Sequence, residues 1–229
     1  MGDMGPDDAQ RAALSWLAEF RREHPLGRFV SRETDARLQI YVDTLLKWQT
    51  KMNLIGPSTV GLVWFRHILD SLQLLAHIPS EGVSKTFIDV GSGGGFPALA
   101  IVAGRDDLSG TLFEANQRKA SFLRYTARAM GVETRVTVKA QRIEAATAFP
   151  ADLITARACA DLDQLIRYAI PFQGKNTLWL LLKGQDVEDE LTRAAISWKL
   201  RSQIKPSVTD PNGSILILKD VVLHDSAAL

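Results

Sequence analysis

A run of closely spaced glycines follows a short apolar segment in the first half of the chain. Residues 87–90 have the composition of a strand, and Gly91, Gly93 and Gly95 follow them at alternate positions, ahead of Pro97. Glycine permits unusual backbone conformations and lets the backbone approach a ligand closely. A strand that enters a glycine-rich turn ahead of a helix is typical of nucleotide-type cofactor sites. A tight strand-to-helix turn without a ligand has the same pattern, so this alternative stays open.

Two further residues, Glu114 and Phe96, indicate which type of cofactor the loop binds. Glu114 ends the next predicted strand, 23 residues after Gly91, close to the roughly 20-residue spacing at which an acidic side chain reaches ribose hydroxyls. A solvated glutamate at a strand end would look the same. The dinucleotide pattern needs a glycine at position 96, where this chain has Phe96. The alternate glycines after Asp89 are instead typical of S-adenosylmethionine sites, so a nicotinamide-dependent oxidoreductase is disfavoured. The residues expected to bind S-adenosylmethionine are thus Gly91, Gly93, Gly95, Phe96 and Glu114.

The chain after residue 80 alternates between short β-rich segments and helical stretches. This alternation predicts a parallel sheet covered by helices. Only a turn cluster, residues 209–213, separates the last two segments, so we expect them to form an antiparallel hairpin. The result is an α/β fold of the Rossmann-like class I methyltransferase type, with an antiparallel last strand. The seven predicted strands are 86–90, 111–114, 135–139, 153–156, 177–182, 203–208 and 215–219.

The first eighty residues have apolar residues at helical spacing and no strand pattern. We predict one helix around Leu14 to Phe20, a second capped by Ser31, and a third that is capped by Ser58 or Thr59 and ends before Pro79. Residues 1–80 are therefore expected to form a helical extension packed on the core. Residues 81–229 are expected to form the S-adenosylmethionine-dependent methyltransferase domain.

Composition and charge exclude several classes of protein. Lys and Arg total 27 against 26 for Asp and Glu, so an RNA-binding surface has to be local. The single cysteine, Cys159, excludes an internal disulfide framework and leaves too little sulfur for a structural zinc site; we expect no metal. The apolar runs are too short to span a bilayer, and the first residues lack an apolar signal core. We expect a soluble, cytoplasmic protein without a membrane partner.

Several ordered motifs resemble one family, the bacterial 16S rRNA guanine-N7 methyltransferases called RsmG, also known as glucose-inhibited division protein B. The segment at residues 66–72 is the most specific, because glycine loops occur in many enzymes. The resemblance runs through most of the chain. It is carried by residues 52–55, 66–72, 89–97, 118–123, 142–144, 156–158 and 182–185.

The resemblance implies a set of cofactor contacts. The family's contacts fall on Gly91, Phe96, Ile143, Glu144 and Arg157 of this sequence. The guanidinium of Arg157 would pair with the methionine carboxylate, for which it offers a planar two-point fork; alternatively, it forms a structural salt bridge. Ile143 is alternatively a core residue. The family's acidic ribose ligand corresponds to Glu114, at the end of the second predicted strand, where the family more often has aspartate.

The resemblance also implies the reaction: methyl transfer from S-adenosylmethionine to N7 of the guanine at nucleotide 527 of 16S rRNA in the small ribosomal subunit, with no obligate protein partner evident. Guanine N7 has a free lone pair and no proton to lose, so we assign no catalytic residue. In-line positioning and charge stabilisation are sufficient. Since N7 lies in a deep, narrow groove of duplex RNA, the target base is expected in a loop or splayed out.

Five cationic or polar residues are candidate RNA contacts. They are Arg66, His67, Arg124, Arg128 and Lys183. For His67 the alternative is that it braces the helical segment against the sheet, together with Asp70. For the charged helix residues the alternative is solvation alone.

Two rival functions use the same fold. One is a methyltransferase that acts on another RNA or on a protein. The other is a non-catalytic RNA-binding module of ribosome assembly. The second rival predicts damage to the glycine loop or loss of Glu114, and both are intact in the sequence.

Overall fold

Seven strands form a single mixed sheet in a computed structural model, which describes residues 30–79, 85–157 and 160–224. The strand order is β3-β2-β1-β4-β5-β7-β6. The first five strands are mutually parallel, and β7 runs antiparallel to both β5 and β6. The strands are β1 Lys85–Val90, β2 Leu108–Phe113, β3 Val136–Lys139, β4 Ala151–Arg157, β5 Gln173–Lys183, β6 Trp198–Pro206 and β7 Ser214–Leu223.

All seven predicted strands and the terminal hairpin are confirmed. The boundaries differ by a few residues, because strand ends depend on pairing rather than on composition. The most consequential shift is in β2, which ends at Phe113, so that Glu114 is the first residue of the following loop. A carboxylate in that position is free to turn towards the glycine loop.

In the described ranges, five helices of seven or more residues connect the strands or precede them. They are α1 Arg32–Gln49, α2 Ala98–Gly104, α3 Gln117–Ala129, α4 Leu162–Ala169 and α5 Val187–Ala194. The Ser31 cap is confirmed: its side chain accepts a hydrogen bond from the Thr34 amide at 3.1 Å. The helix predicted at Leu14 to Phe20, like Cys159, lies outside the described residues.

The third predicted helix has a different form from the expected one. It begins as a 3₁₀ helix, Pro57–Leu62, and continues as a π-helix, Trp64–Leu69, before the short α-helical turn Asp70–Leu72 and a second 3₁₀ helix, Gln73–His77. The predicted cap at Ser58 or Thr59 is wrong, since the residue that precedes the first turn is Gly56. The wider π turn is uncommon and is frequently found at functional sites.

Two apolar cores lie on opposite faces of the sheet, because successive strand residues point to opposite sides. One core joins α1, the π-helix, α2 and α3 to strand residues such as Phe87 and Leu180. The other joins α4 and α5 to residues such as Ile88 and Trp179. The described part of residues 1–80 thus shares a core with the sheet, and the expected boundary at 80 falls in the segment 80–84, which is not described. No helix of the described ranges is long and apolar enough to cross a membrane.

Candidate functional site

The glycine loop leaves the carboxyl end of β1 in a conformation that side chains disfavour. Gly91, Gly93 and Gly95 have φ angles of 69°, 53° and 92°, in the left-handed region that costs other residues about 1–2 kcal/mol each. At Gly95 space is also lacking, because an added Cβ would lie 2.7 Å from both Leu99 Cδ1 and Tyr41 Oη. Glycine is therefore required there by sterics as well as by backbone conformation.

Neighbouring elements hold this loop in place. The Tyr41 hydroxyl, from α1, donates to the Gly94 carbonyl at 2.5 Å. The Gly93 amide donates to Glu114 Oε2 at 2.8 Å, and the other carboxylate oxygen, Oε1, accepts from the Asn116 amide at 2.7 Å. Glu114 thus lies against the glycine loop. The predicted ribose contact requires this position.

Phe96 closes the loop with a buried aromatic cluster. Its ring stacks on Tyr41 and lies beside His67, each with a centroid separation of 5.0 Å. The Arg157 guanidinium lies 5.7 Å from the Phe96 centroid, within the range of a cation–π contact. This cluster joins α1, the π-helix and the end of β4 to the glycine loop.

Asp89 precedes the loop and is fully buried. Thr155 on β4 donates to its Oδ1 at 2.7 Å, whereas Oδ2 has no hydrogen-bond partner among the described residues. Burial raises the pKa of this carboxyl to about 7, because the charged form loses its hydration. The side chain is therefore protonated over much of the acid range in the folded protein.

We predict that Asp89→Asn removes a pH-dependent loss of stability. Asp89 has a folded pKa of about 7 and an unfolded value near 3.9. Its stabilising contribution is full below about pH 4 and is lost as the pH rises towards 7. Urea unfolding should show wild type losing about 2 kcal/mol relative to the variant between pH 5.5 and 7. A constant difference between the two proteins across this range would contradict the buried-carboxyl argument.

Arg157, the last residue of β4, has one guanidinium nitrogen, Nη1, without a partner among the described residues. Its Nη2 donates to the Arg66 carbonyl at 3.0 Å, and its Nε lies 3.4 Å from Asp70 Oδ2. Its Nη1 is buried and has no partner in the described part of the chain. Burial lowers the pKa of Arg157, and the Asp70 charge opposes this effect. The ion pair with Asp70 agrees with a structural salt bridge. The unpaired Nη1 agrees with the other alternative, a contact with the methionine carboxylate of the cofactor.

Two of the predicted RNA contacts are buried, which is a correction to their expected placement. His67 is 6% exposed, its Nε2 lies 2.8 Å from Thr59 Oγ1, and burial lowers its pKa to about 3, aided by Arg157 and Arg66. It therefore braces the π-helix as a neutral ring. Lys183 is 7% exposed and is held by Glu190 Oε2 at 2.6 Å and the Ala160 carbonyl at 2.9 Å. Neither side chain belongs to an exposed phosphate-binding surface; Lys183 lines the cavity described below instead.

The other predicted RNA contacts lie on two separate surfaces. Arg66 pairs with Asp210 at 3.0 Å and lines a cavity that Lys183 also lines. Arg124 and Arg128 are exposed on α3, which packs against α1 and β3. The structure therefore does not bring the five predicted residues together.

The predicted adenine segment follows β3. Ile143 is 4% exposed and belongs to the same core as Val90 and Phe113, the last residues of β1 and β2. Glu144 is exposed. Ile143 therefore contributes to the core, as its alternative interpretation expected, at a position next to the carboxyl ends of the strands.

A cavity of about 240 Å³ lies beyond Arg157, at the carboxyl ends of β4 and β5. Sequence reasoning missed most of its lining, because the pairing of its charges depends on contacts between distant segments. Three carboxylates line it, and each forms an ion pair with a cation: Asp70 with Arg157, Asp210 with Arg66, and Glu190 with Lys183. The sequence pattern predicts only a bracing role for Asp70, and it places Asp210 only within a turn. The complete lining is Arg66, Asp70, Arg157, Ala160, Leu182, Lys183, Gly184, Glu190, Ser207, Asp210, Gly213 and Ser214.

Comparison with known proteins shows the family to which the chain belongs. Residues 34–217 match the family model described as GidB, rRNA small subunit methyltransferase G. The chain belongs to this family. It is 49% identical over 193 residues to the ribosomal RNA small subunit methyltransferase G of Gluconobacter oxydans, covering 83% of this chain and 96% of the relative. It is 46% identical to that of Paramagnetospirillum magneticum, covering 84% and 91%. Membership in the methyltransferase G family confirms the resemblance noted in the sequence.

Solved structures with low sequence identity share the fold of this chain. A SAM-dependent O-methyltransferase from Thermotoga maritima has a TM-score of 0.54 at 14% identity, covering 81% of this chain and 72% of that one. The mitomycin 7-O-methyltransferase MmcR has a TM-score of 0.56 at 13% identity, covering 76% and 60%. The predicted class I methyltransferase fold is thereby confirmed.

The cofactor of this chain is S-adenosylmethionine, and the described residues fit it. The left-handed glycines leave their own backbone uncovered by side chains beside Glu114, and the buried Nη1 of Arg157 lacks an acceptor among the described residues, which an anionic group would provide. A buried donor without a partner costs roughly 1–3 kcal/mol, so a ligand that satisfies it gains correspondingly. The residue-level assignment of cofactor contacts stays a prediction.

Proposed function

We propose that this chain methylates N7 of a guanine in 16S rRNA of the small ribosomal subunit, at nucleotide 527. The observation that carries the proposal is the family match over residues 34–217, combined with an intact glycine loop held by Glu114. The relatives' names specify ribosomal RNA of the small subunit. The N7 atom and the nucleotide come from the family resemblance of the motifs. Because ribosomes are the substrate in this proposal, the protein acts in the cytoplasm.

The described side chains support a mechanism without a general base. When bound, S-adenosylmethionine supplies a methyl group on a sulfonium, which is activated for transfer. His67 is buried, neutral and engaged with Thr59, and the carboxylates of the cavity are paired with cations. The tasks left to the chain are to hold the cofactor and the base in line and to stabilise the charge that moves onto the base.

A local basic surface on α3 supports RNA as the substrate. Between Glu114 and Glu133 the sequence has no acidic residue, and an exposed aromatic side chain, Tyr125, is 57% accessible beside Trp48. Cations contact phosphates, and an exposed ring offers a stacking surface for an unpaired base. This surface concentrates positive charge locally, although the net charge of the whole chain is near zero. Its cations are Arg118, Lys119, Arg124 and Arg128.

The proposal is tested by mapping the methylated nucleotide. Purified protein and radiolabelled S-adenosylmethionine are incubated with small subunits that lack the modification, with free 16S rRNA and with large subunits. We expect label at one guanine of small-subunit RNA, located by the strand scission to which N7-methylguanine is prone. Small subunits that already carry the modification serve as the control and should accept no label. Label only in large subunits, at another type of base, or in none of the three RNAs would overturn the proposal.

A further inference from the structure

The cavity at the ends of β4 and β5 has the position of an acceptor site. In open α/β sheets, ligands bind outside the carboxyl ends of the strands. The register aligns Val90 with Ala156 and Arg157 with Leu182, so the end of β5 lies two strands from the end of β1, about 10 Å away. Arg157 bridges the two places, since it lines the cavity and also contacts Phe96 of the glycine loop. The cavity is therefore next to the cofactor loop and separate from it.

The size and polarity of this cavity fit a single nucleobase. Its volume of about 240 Å³ is below the roughly 300–1,000 Å³ of sites for drug-sized ligands. At Gly184, on its wall, an added Cβ would meet nothing within 4 Å, so the space beside this residue is open. Enzymes that modify a base commonly take it out of the stack into such a pocket.

The Lys183–Glu190 ion pair carries groups that match one edge of guanine. Glu190 Oε2 accepts from Lys183 Nζ at 2.6 Å, and no described residue donates to the other oxygen, Oε1. The Lys183 ammonium has three donors, of which two are used, by Glu190 and by the Ala160 carbonyl. The ion pair therefore offers a hydrogen-bond acceptor, Glu190 Oε1, beside a hydrogen-bond donor, the third N–H of Lys183. The Watson–Crick edge of guanine has the complementary pattern, with N1–H and N2–H donors beside the O6 acceptor.

The orientation is consistent with transfer to N7. On guanine, the 2-amino group lies on the side of the base opposite N7, whereas O6 lies next to N7. A base with N7 towards Arg157 and the glycine loop directs its 2-amino group away from the loop, towards the end of β5, where Lys183 and Glu190 lie.

We propose that the target guanine occupies this cavity and that the Lys183–Glu190 pair reads its Watson–Crick edge. The inference rests on the proposed function, since it takes the acceptor to be guanine. It assigns specificity for guanine to the Lys183–Glu190 pair, which lies away from the glycine loop. The Arg66–Asp210 pair, with side chains 36% and 31% exposed, lies at the more open part of the same cavity.

The test compares guanine with inosine, which retains N7, O6 and N1–H and lacks only the 2-amino group. Small subunits are reconstituted with 16S rRNA that carries either base at the target position. We expect wild type to prefer guanine by about 10-fold in methylation rate, the discrimination typical of a good paired contact to a base edge. Glu190→Gln should abolish most of this preference, because its amide would face the 2-amino group with a donor. A ratio of rates is not changed by a loss of folded protein.

Two matched controls accompany this experiment. Glu188→Gln changes an exposed residue of the same helix that does not line the cavity and should retain the preference. Gly184→Val adds a side chain at the wall of the cavity and should lower the methylation rate by about 30-fold, within the roughly 100-fold that misplacement of the reacting groups can cost, with cofactor affinity and melting temperature unchanged. Gly61→Val, also in open space and outside the lining, should retain the wild-type rate.

The outcomes separate the inference from the proposed function. If wild type methylates no guanine of the small subunit, the proposed function fails. If wild type methylates the target guanine while Glu190→Gln keeps the full preference for guanine over inosine, the inference is overturned and the function stands. Full activity of Gly184→Val overturns the placement of the base.

Discussion

Gly93→Trp is expected to weaken S-adenosylmethionine binding by more than about 100-fold while the protein stays folded. Gly93 lies in the middle of the loop, and its amide donates to Glu114. The nearest atom to an added Cβ is the Gly91 carbonyl oxygen at 3.7 Å, an ordinary contact, so a side chain finds room in the apo protein. The indole ring would then occupy the space through which a ligand approaches the backbone. A 100-fold loss corresponds to about 2.8 kcal/mol of binding free energy.

The matched control for this substitution is Gly131→Trp. Gly131 follows α3, has a φ of 68° and has no atom within 4 Å of an added Cβ. Both substitutions place tryptophan in a left-handed conformation at a cost of about 1–2 kcal/mol, and only the first lies in the loop. Calorimetric titration should show normal cofactor affinity for Gly131→Trp, and both melting temperatures should fall by similar amounts. Undiminished affinity in Gly93→Trp would show that the pocket lies elsewhere.

Much of the fold could be predicted because it depends on local patterns. Seven β-rich segments, the short turn at residues 209–213 and the glycines after β1 are properties of adjacent residues. Parallel strands also bring their carboxyl ends to one edge. Sequence spacing alone was therefore enough to place the loop and Glu114 together, at the ends of neighbouring strands.

The cavity at the ends of β4 and β5 could not be predicted in the same way, because its contacts join residues far apart in the chain. Asp70 Oδ1 accepts from Thr209 Oγ1 at 2.6 Å across 139 positions, and Arg66 pairs with Asp210. No local pattern distinguishes these carboxylates from solvated ones. The π-helix was missed for a related reason: apolar spacing indicates that a segment is helical, but a π turn is stabilised by the tertiary contacts of residues such as His67 and Trp64.

Arg157→Met is expected to weaken cofactor binding by up to about 100-fold. The free Nη1 of Arg157 is buried beside the Phe96 cluster, and a charge-assisted hydrogen bond to a carboxylate contributes roughly 1.5–3 kcal/mol. The substitution also removes the contact with Asp70 and the donor to the Arg66 carbonyl. Stability should therefore fall as well, by about 1–3 kcal/mol. A single variant does not separate these two effects.

The double variant Arg157→Met with Asp70→Asn makes that separation. If Arg157 serves only to neutralise Asp70, removing both charges should restore stability and cofactor affinity together. If the guanidinium binds the methionine carboxylate, the double variant should recover stability and keep the loss of affinity, because no cation replaces the fork. We expect the second result, measured by urea unfolding and calorimetric titration on the same protein samples. Recovery of both properties would assign Arg157 to the support of the π-helix alone, and the cofactor carboxylate would then need another partner near the glycine loop.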